Sequence, residues 1–253
     1  MKRTWRIPIL LLVPALIVAA AVVQHRRATV ATANARVDDA VATVAAAGAP
    51  SSTWYCAAGT ASAAADAYGE QSVTIANSGD EDATGFVTAY SDSGNQATKA
   101  IMVKAHAATT VRTSEVLKAP WASVVVEVGG GGIAVTQELR GTAGRTTGEC
   151  ASSPSAQWYF PAGTSRAGSH LTLALFNPFP GEATVDVAFD TEDGARSPQQ
   201  LQGMVVRGGH LAVVDVSAIV TLRERVSTSV SVRSGRVVAT EVQSTDGRNS
   251  GDA

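Results

Sequence analysis

The chain has 253 residues, of which 45% are hydrophobic, 17% charged and 5% aromatic, with a formal net charge of −2. That length admits one large or two ordinary domains, and that apolar content suffices for a packed core. Twenty basic against 22 acidic residues exclude the clustered basic surface that displaces counterions from nucleic acid, so no nucleic-acid partner is expected.

Residues 1–6 carry Lys2, Arg3 and Arg6, and an uncharged apolar run follows over 7–23. At 1.5 Å per residue the run spans roughly 25 Å, enough for a bilayer core. The leading cations favour a cytoplasmic start, a bias that Arg26 and Arg27 weaken without reversing. The run exceeds an ordinary signal-peptide core and predicts an uncleaved transmembrane helix; a signal peptide cut after Ala19-Ala20-Ala21 is the alternative. Either way residues 24–253 are expected outside the cytoplasm, held at the cell membrane by a single pass or secreted if the segment is cleaved. Residues 24–50 then form an Ala-rich stalk or linker. Val30, Val37, Val41 and Val44 have helical spacing, a flexible spacer fits equally, and Gly48 and Pro50 close the segment.

From residue 51 the chain reads as one plan written twice. "WYCAAGT" (54–60) returns as "WYFPAGT" (158–164), with Trp54 and Trp158 104 positions apart. "IANSGDEDATGFVTAY" (75–90) meets "LFNPFPGEATVDVAFD" (175–190), pairing Asn77 with Asn177 and Ala83-Thr84 with Ala183-Thr184 at an offset of 100. Gly94 and Gly194 keep that offset, and Thr136 and Thr240 restore 104. Small shifts fall in turns, where insertions are tolerated. The preserved order indicates a duplication.

Each copy reads as short strands with turn signals every 8–12 residues, the pattern of an all-β sandwich. In the second copy strands are expected near 157–161, 170–176, 183–190, 201–206, 210–216, 226–233 and 236–243. "VDVAFD" and "STSVSVRS" alternate as half-buried strands should. "TEDGA", "RGG" and "RSGR" mark its hairpins, as "SDSGN" and "GGGG" do in the first copy. Such strands must stack into two sheets to bury their apolar faces. The expected fold is therefore all-β: two tandem Ig-like β-sandwiches over 51–150 and 151–245, after the transmembrane helix and before a disordered tail, 246–253.

Cys56 and Cys150 are the only cysteines. One sits in the opening strand of the first copy and the other just past its last strand, so a disulfide would tie the ends of that domain together. Loop closure of this size contributes about 4–5 kcal/mol in the chain-entropy account, and the pair suits an oxidising compartment. The second copy has Phe160 in place of Cys56.

Chemistry is hard to find. His25, His106, His170 and His210 supply no third zinc ligand at sensible spacing. No serine sits in a G-x-S-x-G elbow. Asp190, Glu192 and Asp193 share one hairpin tip rather than opposing sides of a cleft. "DTEDG" and "NSGDED" (77–82) are acidic loops without the alternating spacing of a dedicated calcium site. "GGGG" (129–132) joins two strands, not a strand to a helix. No catalytic residue, metal or cofactor is expected. The aromatics remain as candidate binding residues. Trp54-Tyr55 and Trp158-Tyr159 either offer ring faces to sugars or anchor each sandwich core. Phe179 stands between two prolines in "NPFPGE", at an expected loop tip.

The N-terminal run, the Ala-rich spacer, "STWYCAAGT", "WYFPAGT", "LFNPFPGEATVDV" and "STSVSVRSGRVVATEVQS" together resemble an actinobacterial family of secreted proteins of unknown function, over roughly 50–245. The resemblance implies tandem β-sandwich repeats at the cell envelope, often encoded near a large membrane glycosyltransferase. It carries over no catalytic residue. The expected function is a non-catalytic, membrane-tethered envelope binding or scaffolding protein that touches another membrane protein or a surface glycan. The alternative is an envelope glycan hydrolase using Asp190, Glu192, Glu241 or His210 between the domains.

Overall fold

The computed structural model describes residues 44–46, 49–61, 69–141 and 144–245, all within one compact unit, 42–253. The expected transmembrane run, most of the stalk and the tail 246–253 lie outside the described residues. Among the described residues no helix is long and apolar enough to cross a membrane.

The architecture is all-β. Eight strands build the first lobe: β1 (Ser51–Cys56), β2 (Glu70–Asn77), β3 (Ala83–Ser91), β4 (Gln96–Val103), β5 (Ala107–Arg112), β6 (Ala122–Gly129), β7 (Ile133–Gly141) and β8 (Gly144–Glu149). Eight build the second: β9 (Gln157–Gly163), β10 (Ser169–Asn177), β11 (Ala183–Thr191), β12 (Gly194–Arg196), β13 (Met204–Val206), β14 (His210–Asp215), β15 (Val226–Ser234) and β16 (Val238–Thr245). A four-residue helix, α1 (Val216–Ile219), is capped by the Asp215 carboxylate, which accepts from the Ala218 N–H.

Four antiparallel sheets result. Sheet I has the order β5-β2-β7-β8 and sheet II β1-β6-β3-β4. Sheet III is β14-β10-β16, and sheet IV is β12-β11-β15-β9 with β13 also on β11. Strand for strand, β9-β15-β11-β12 repeats β1-β6-β3-β4, and β14-β10-β16 repeats β5-β2-β7; β8 has no counterpart among the described strands. Register agrees too: Trp54 pairs with Val126, and Trp158 with Val230. One buried asparagine does the same work in each lobe. Asn77 donates to the Glu81 and Val103 carbonyls (2.8 and 3.2 Å) and accepts the Gly79 N–H. Asn177 donates to the Gly181 and Val206 carbonyls (2.7 and 3.0 Å) and accepts the Phe179 N–H. Each ties a hairpin tip to a neighbouring strand and leaves no buried amide unpaired.

The sheets form three apolar layers. Sheets I and II enclose Trp54, Val73, Ile75, Val87, Val124 and Val126. Sheets III and IV enclose Leu171, Leu173, Leu175, Val187, Phe189 and Val230. A third layer joins the lobes, where the outer faces of sheets II and III meet through Val125, Ala174, Phe176, Leu211, Val238 and Val242. Tyr90 and Phe176 stack across it, ring centroids 5.2 Å apart. This third layer explains two runs that break alternation. "ASVVV" at the start of β6 and "LTLALFN" in β10 are buried on both faces, as a strand between two apolar layers must be. The two lobes of the repeated plan are fused face to face.

Cys56 and Cys150 form the disulfide, 94 positions apart with Cα atoms at 4.6 Å, inside the first core. Phe160 fills the matching register in the second lobe, opposite Thr228 as Cys56 is opposite Val124. The chain is also attached earlier than residue 51. Ala45 donates to the Ile133 carbonyl and accepts the Gly132 N–H (both 2.9 Å), and Gly130 donates to the Pro50 carbonyl. Ala45 also packs against the first core, a contact that the helical spacing of the valines before it does not announce.

Candidate functional site

Sheet pairing sorts the five aromatic candidates. Trp54 is 2% exposed in the first core, so its ring is not offered to a ligand. Trp158 is half-buried between the second core and the junction, and its Nε1–H donates to the Val237 carbonyl at 3.0 Å. Tyr55 lies in the junction, where burial, then the Glu127 carboxylate, then Tyr90, raise its hydroxyl above the ordinary range. Phe179 is 42% exposed at the β10–β11 turn, with its N–H held by Asn177. Tyr159 is 68% exposed and stands on the outer face of sheet IV.

That face differs from its counterpart. On sheet II the row through Tyr55 continues to Val125 and is covered by the second lobe. On sheet IV the matching row runs Tyr159–Ser229–Ala188, and the next runs Ser227–Asp190. Valine has become serine, and Tyr90, 100 positions before Asp190, has become a carboxylate. The result is a shallow polar bed with one aromatic wall. The Asp186 carboxylate accepts two bonds from the Arg233 guanidinium, at 2.6 and 2.7 Å, at its other end.

Beside Asp190 and Ser227 the bed opens into a cavity of about 630 Å³ at the end of the second lobe, lined also by Gly163, Glu192, Arg225 and Gln243. Most of its charges are committed to structure. Glu192 accepts the Glu224 and Arg225 N–H groups (3.1 and 3.2 Å); its own backbone N–H first, then these two, hold its carboxyl below the ordinary range. Arg166 pairs with Glu224, and Arg223 with Asp193. Among the described residues no ion pair engages Asp190 or Arg225.

Behind Gly163 lies Glu241. Its Oε2 accepts the Thr228 hydroxyl at 2.6 Å. Burial pushes its carboxyl up to about 7, against the lowering effect of that bond. A Cβ on Gly163 would come within 3.1 Å of Glu241 Oε1 and 2.9 Å of Leu171 Cδ2, so glycine keeps this place open. Sequence reasoning named Glu241 only as a hydrolase alternative and missed Gly163, Arg225 and Gln243. The repeated "AGT" of 58–60 and 162–164 was the available signal.

The other candidates disperse. His210 sits at the junction, where its Nδ1 hydrogen-bonds the Gly208 carbonyl and its ring covers the Gly94 turn, away from the carboxylates of the cavity. The junction has its own cavity of about 390 Å³, beside Trp158 and Val238, with Glu149 as its one carboxylate. In "NSGDED", Asp82 binds Lys104 and the Ala105 N–H, and Asp80 meets His106 at 3.0 Å. Among the described residues no group of three or more histidine, cysteine or acidic side chains is placed to hold a metal ion.

Residues 131–251 match the model of a family described as "Family of unknown function (DUF5719)". No curated protein matches the chain. Among solved structures, the Anabaena sensory rhodopsin transducer is 19% identical with a TM-score of 0.30, covering 39% of this chain and 99% of its own. Thermotoga maritima 1070 is 16% identical with a TM-score of 0.32, covering 42% and 96%. The PBSX exported protein XepA is 12% identical with a TM-score of 0.27, covering 81% and 85%.

Proposed function

We propose that this chain is a non-catalytic, membrane-tethered binding or scaffolding protein of the bacterial cell envelope, formed from two duplicated Ig-like sandwiches, and that it holds a surface glycan on the outer face of sheet IV. The observation that carries the reading is the contrast between equivalent faces. Where Tyr55 lies beside Val125, the face is buried under another sheet. Where Tyr159 lies beside Ser229, with Asp190 two strands over on the next row, it is open and polar. An exposed ring beside a serine, on a face whose next row carries a carboxylate, suits a ligand with apolar ring faces and many hydroxyls, as sugars have. The apolar run 7–23 behind three cations supports the tether, and the Cys56–Cys150 disulfide supports an oxidising compartment. A scaffolding role for an envelope membrane protein fits the fused lobes.

The test is retention of the full-length protein on purified envelope polysaccharide. Tyr159→Ala is expected to weaken retention at least about tenfold, and Tyr159→Phe to preserve it, since the ring face does the stacking. Equal retention by all three would refute the face. A periplasmic-type reporter fused to the C-terminus that stays inactive would refute the placement.

One observation favours a second reading, a glycan hydrolase: Glu241, protonated to about pH 7, lies beside a cavity lined by Asp190 and Glu192. Release of reducing ends from the polysaccharide, abolished in Glu241→Gln, would replace the non-catalytic reading with this one.

A further inference from the structure

The repeated plan leaves one edge of the second lobe uncovered. In the first lobe β7 lies between β2 and β8, and β8 pairs with it from Thr136↔Glu149 to Gly141↔Gly144. In the second lobe β16 keeps the register of β7, with Thr240 opposite Ala174 as Thr136 is opposite Thr74, yet β16 ends its sheet. Along an antiparallel strand the backbone groups of successive residues point to opposite sides. The Val135 carbonyl accepts the Cys150 N–H, so Val135 and every second residue after it face the β8 side. By the same register Ala239, Glu241, Gln243 and Thr245 turn their N–H and C=O groups away from β10. Among the described residues no backbone hydrogen bond joins 238–245 to anything but β10. Space lies at both ends of this edge: the 390 Å³ cavity touches Val238, Ala239 and Thr240, and the 630 Å³ cavity touches Gln243.

We propose that the free edge of β16 is a strand-addition site, and that the chain's own residues 248–253 occupy it, pairing antiparallel from Arg248↔Thr245 to Ala253↔Thr240. The proposal is independent of the glycan reading. Residues 246–253 follow β16 directly and lie outside the described residues. The proposed pairs are those of β7 with β8 moved by 104 positions, the offset of Thr136 and Thr240. Residues 142 and 143 separate the paired Gly141 and Gly144; Asp246 and Gly247 separate Thr245 from Arg248 in the same way. Asp-Gly is a preferred dipeptide of two-residue hairpin turns, whose flanking residues exchange hydrogen bonds, and Thr245 has the outward groups for that. The polar "RNSGDA" of 248–253 suits the place, because β8 reads "GRTTGE" and is exposed along its whole length. A strand there adds backbone hydrogen bonds and covers an edge; it has no core to fill. A strand from a second copy could meet the same backbone groups, but it must come from solution. Residues 248–253 are tethered by two residues, at an effective concentration of about millimolar or more. With this strand in place, sheet III has the four-strand order of sheet I and no longer offers this edge to another chain.

The experiment reads amide hydrogen exchange residue by residue, in the full-length protein in detergent micelles and in the same chain ended at Thr245. The Glu241 and Gln243 amides, which point away from β10, are expected to exchange at least about tenfold faster in the shortened chain. The Thr240 and Val242 amides, which point to β10, are expected to change little. Equal exchange in the two chains would overturn the proposal, and so would an acceleration shared alike by all four amides. Cross-linking fixes the occupant and the register. Cys56 and Cys150 are already joined, so introduced thiols report alone. Thr240→Cys/Ala253→Cys places them in a pair without mutual backbone hydrogen bonds, the kind with the closest side chains. Mild oxidation is expected to bridge them within one chain, at least about tenfold faster than in Glu241→Cys/Ala253→Cys, which is one residue out of register. Equal rates would overturn the pairing. A bridge between two chains would give the edge to a second copy and overturn the assignment to residues 248–253.

Discussion

The two lobes share strand order and register, yet each has closed what the other leaves open. The first lobe covers its Tyr55 face with the second lobe, fills the space beside Gly59 with the Gln71–Gln137 pair, and locks its ends with a disulfide. The second leaves its Tyr159 face bare, opens a cavity beside Gly163, and has Phe160 where the disulfide would be. One scaffold thus carries two different surfaces, decided by a few side chains at equivalent positions. Val125 against Ser229 separates an interface from a polar surface. Gln71 against Leu171 separates a closed amide network from an acid held by a single threonine hydroxyl.

The fused stack is the part of this comparison that breaks most visibly. Phe176 is fully buried in the junction, where it stacks on Tyr90. Phe176→Ala is expected to cost about 3–5 kcal/mol, the ordinary range for deleting a buried aromatic ring. The more specific outcome is in the shape of the melt. One cooperative transition in the parent should separate into two, one per lobe, in differential scanning calorimetry. A single transition that merely moves down would mean that the lobes unfold together for reasons other than this layer.

The disulfide comes next. Cys56→Ser/Cys150→Ser is expected to lose about 2–5 kcal/mol, chiefly by freeing the unfolded chain. Chemical denaturation with and without a reductant checks the size. If the lobes differ as described, the loss falls on the lower transition of the Phe176→Ala background, the one belonging to the first lobe. Gln71→Leu is a smaller change that installs the second lobe's residue. It strands the Ala58 carbonyl and the Gln137 amide in a dry place, and about 2 kcal/mol of destabilisation is expected by urea denaturation.

Much of the fold was legible because its signals are local. The alternation of "VDVAFD" and "STSVSVRS" marked β11 and β15, and the Gly-containing turns marked the hairpins around them. Trp54 and Trp158 matched in sequence because both hold the same register on the strand that opens their lobe. The stacking of lobes was not foreseen, although "ASVVV" and "LTLALFN" carried it as unbroken buried runs. Alternation only says that one face is buried; which partner covers a second apolar face depends on surfaces far apart in the chain. The candidate pocket was the least legible part. Glu241 faces inward by parity with Ala239, and an acid on an inward face reads as an anomaly until the space beside Gly163 is seen. Gln243 and Arg225 carry no motif at all, because their role comes from convergence of β16 with the segment before β15.

Glu241 also yields the prediction with the finest resolution, because the direction of its pH dependence is fixed by linkage. Its carboxyl is raised from an ordinary 4.5 to about 7, so between those values the folded protein holds a proton that the unfolded chain has released. Stability must therefore fall as pH rises through that window, and the fall is complete above about pH 7. The shift corresponds to about 2 kcal/mol once the partial exposure of the group is allowed for. Asp82, Glu115, Asp186 and Glu192 shift the other way: the stability they lend is present above their ordinary pKa and lost in more acidic solution. They are the same in parent and variant, so they cancel in the difference. Glu241→Gln should thus show a flat melting temperature from pH 5 to 8 where the parent declines, with the two curves diverging most at the alkaline end. A parent curve that is already flat would mean that Glu241 is ionised in the folded state.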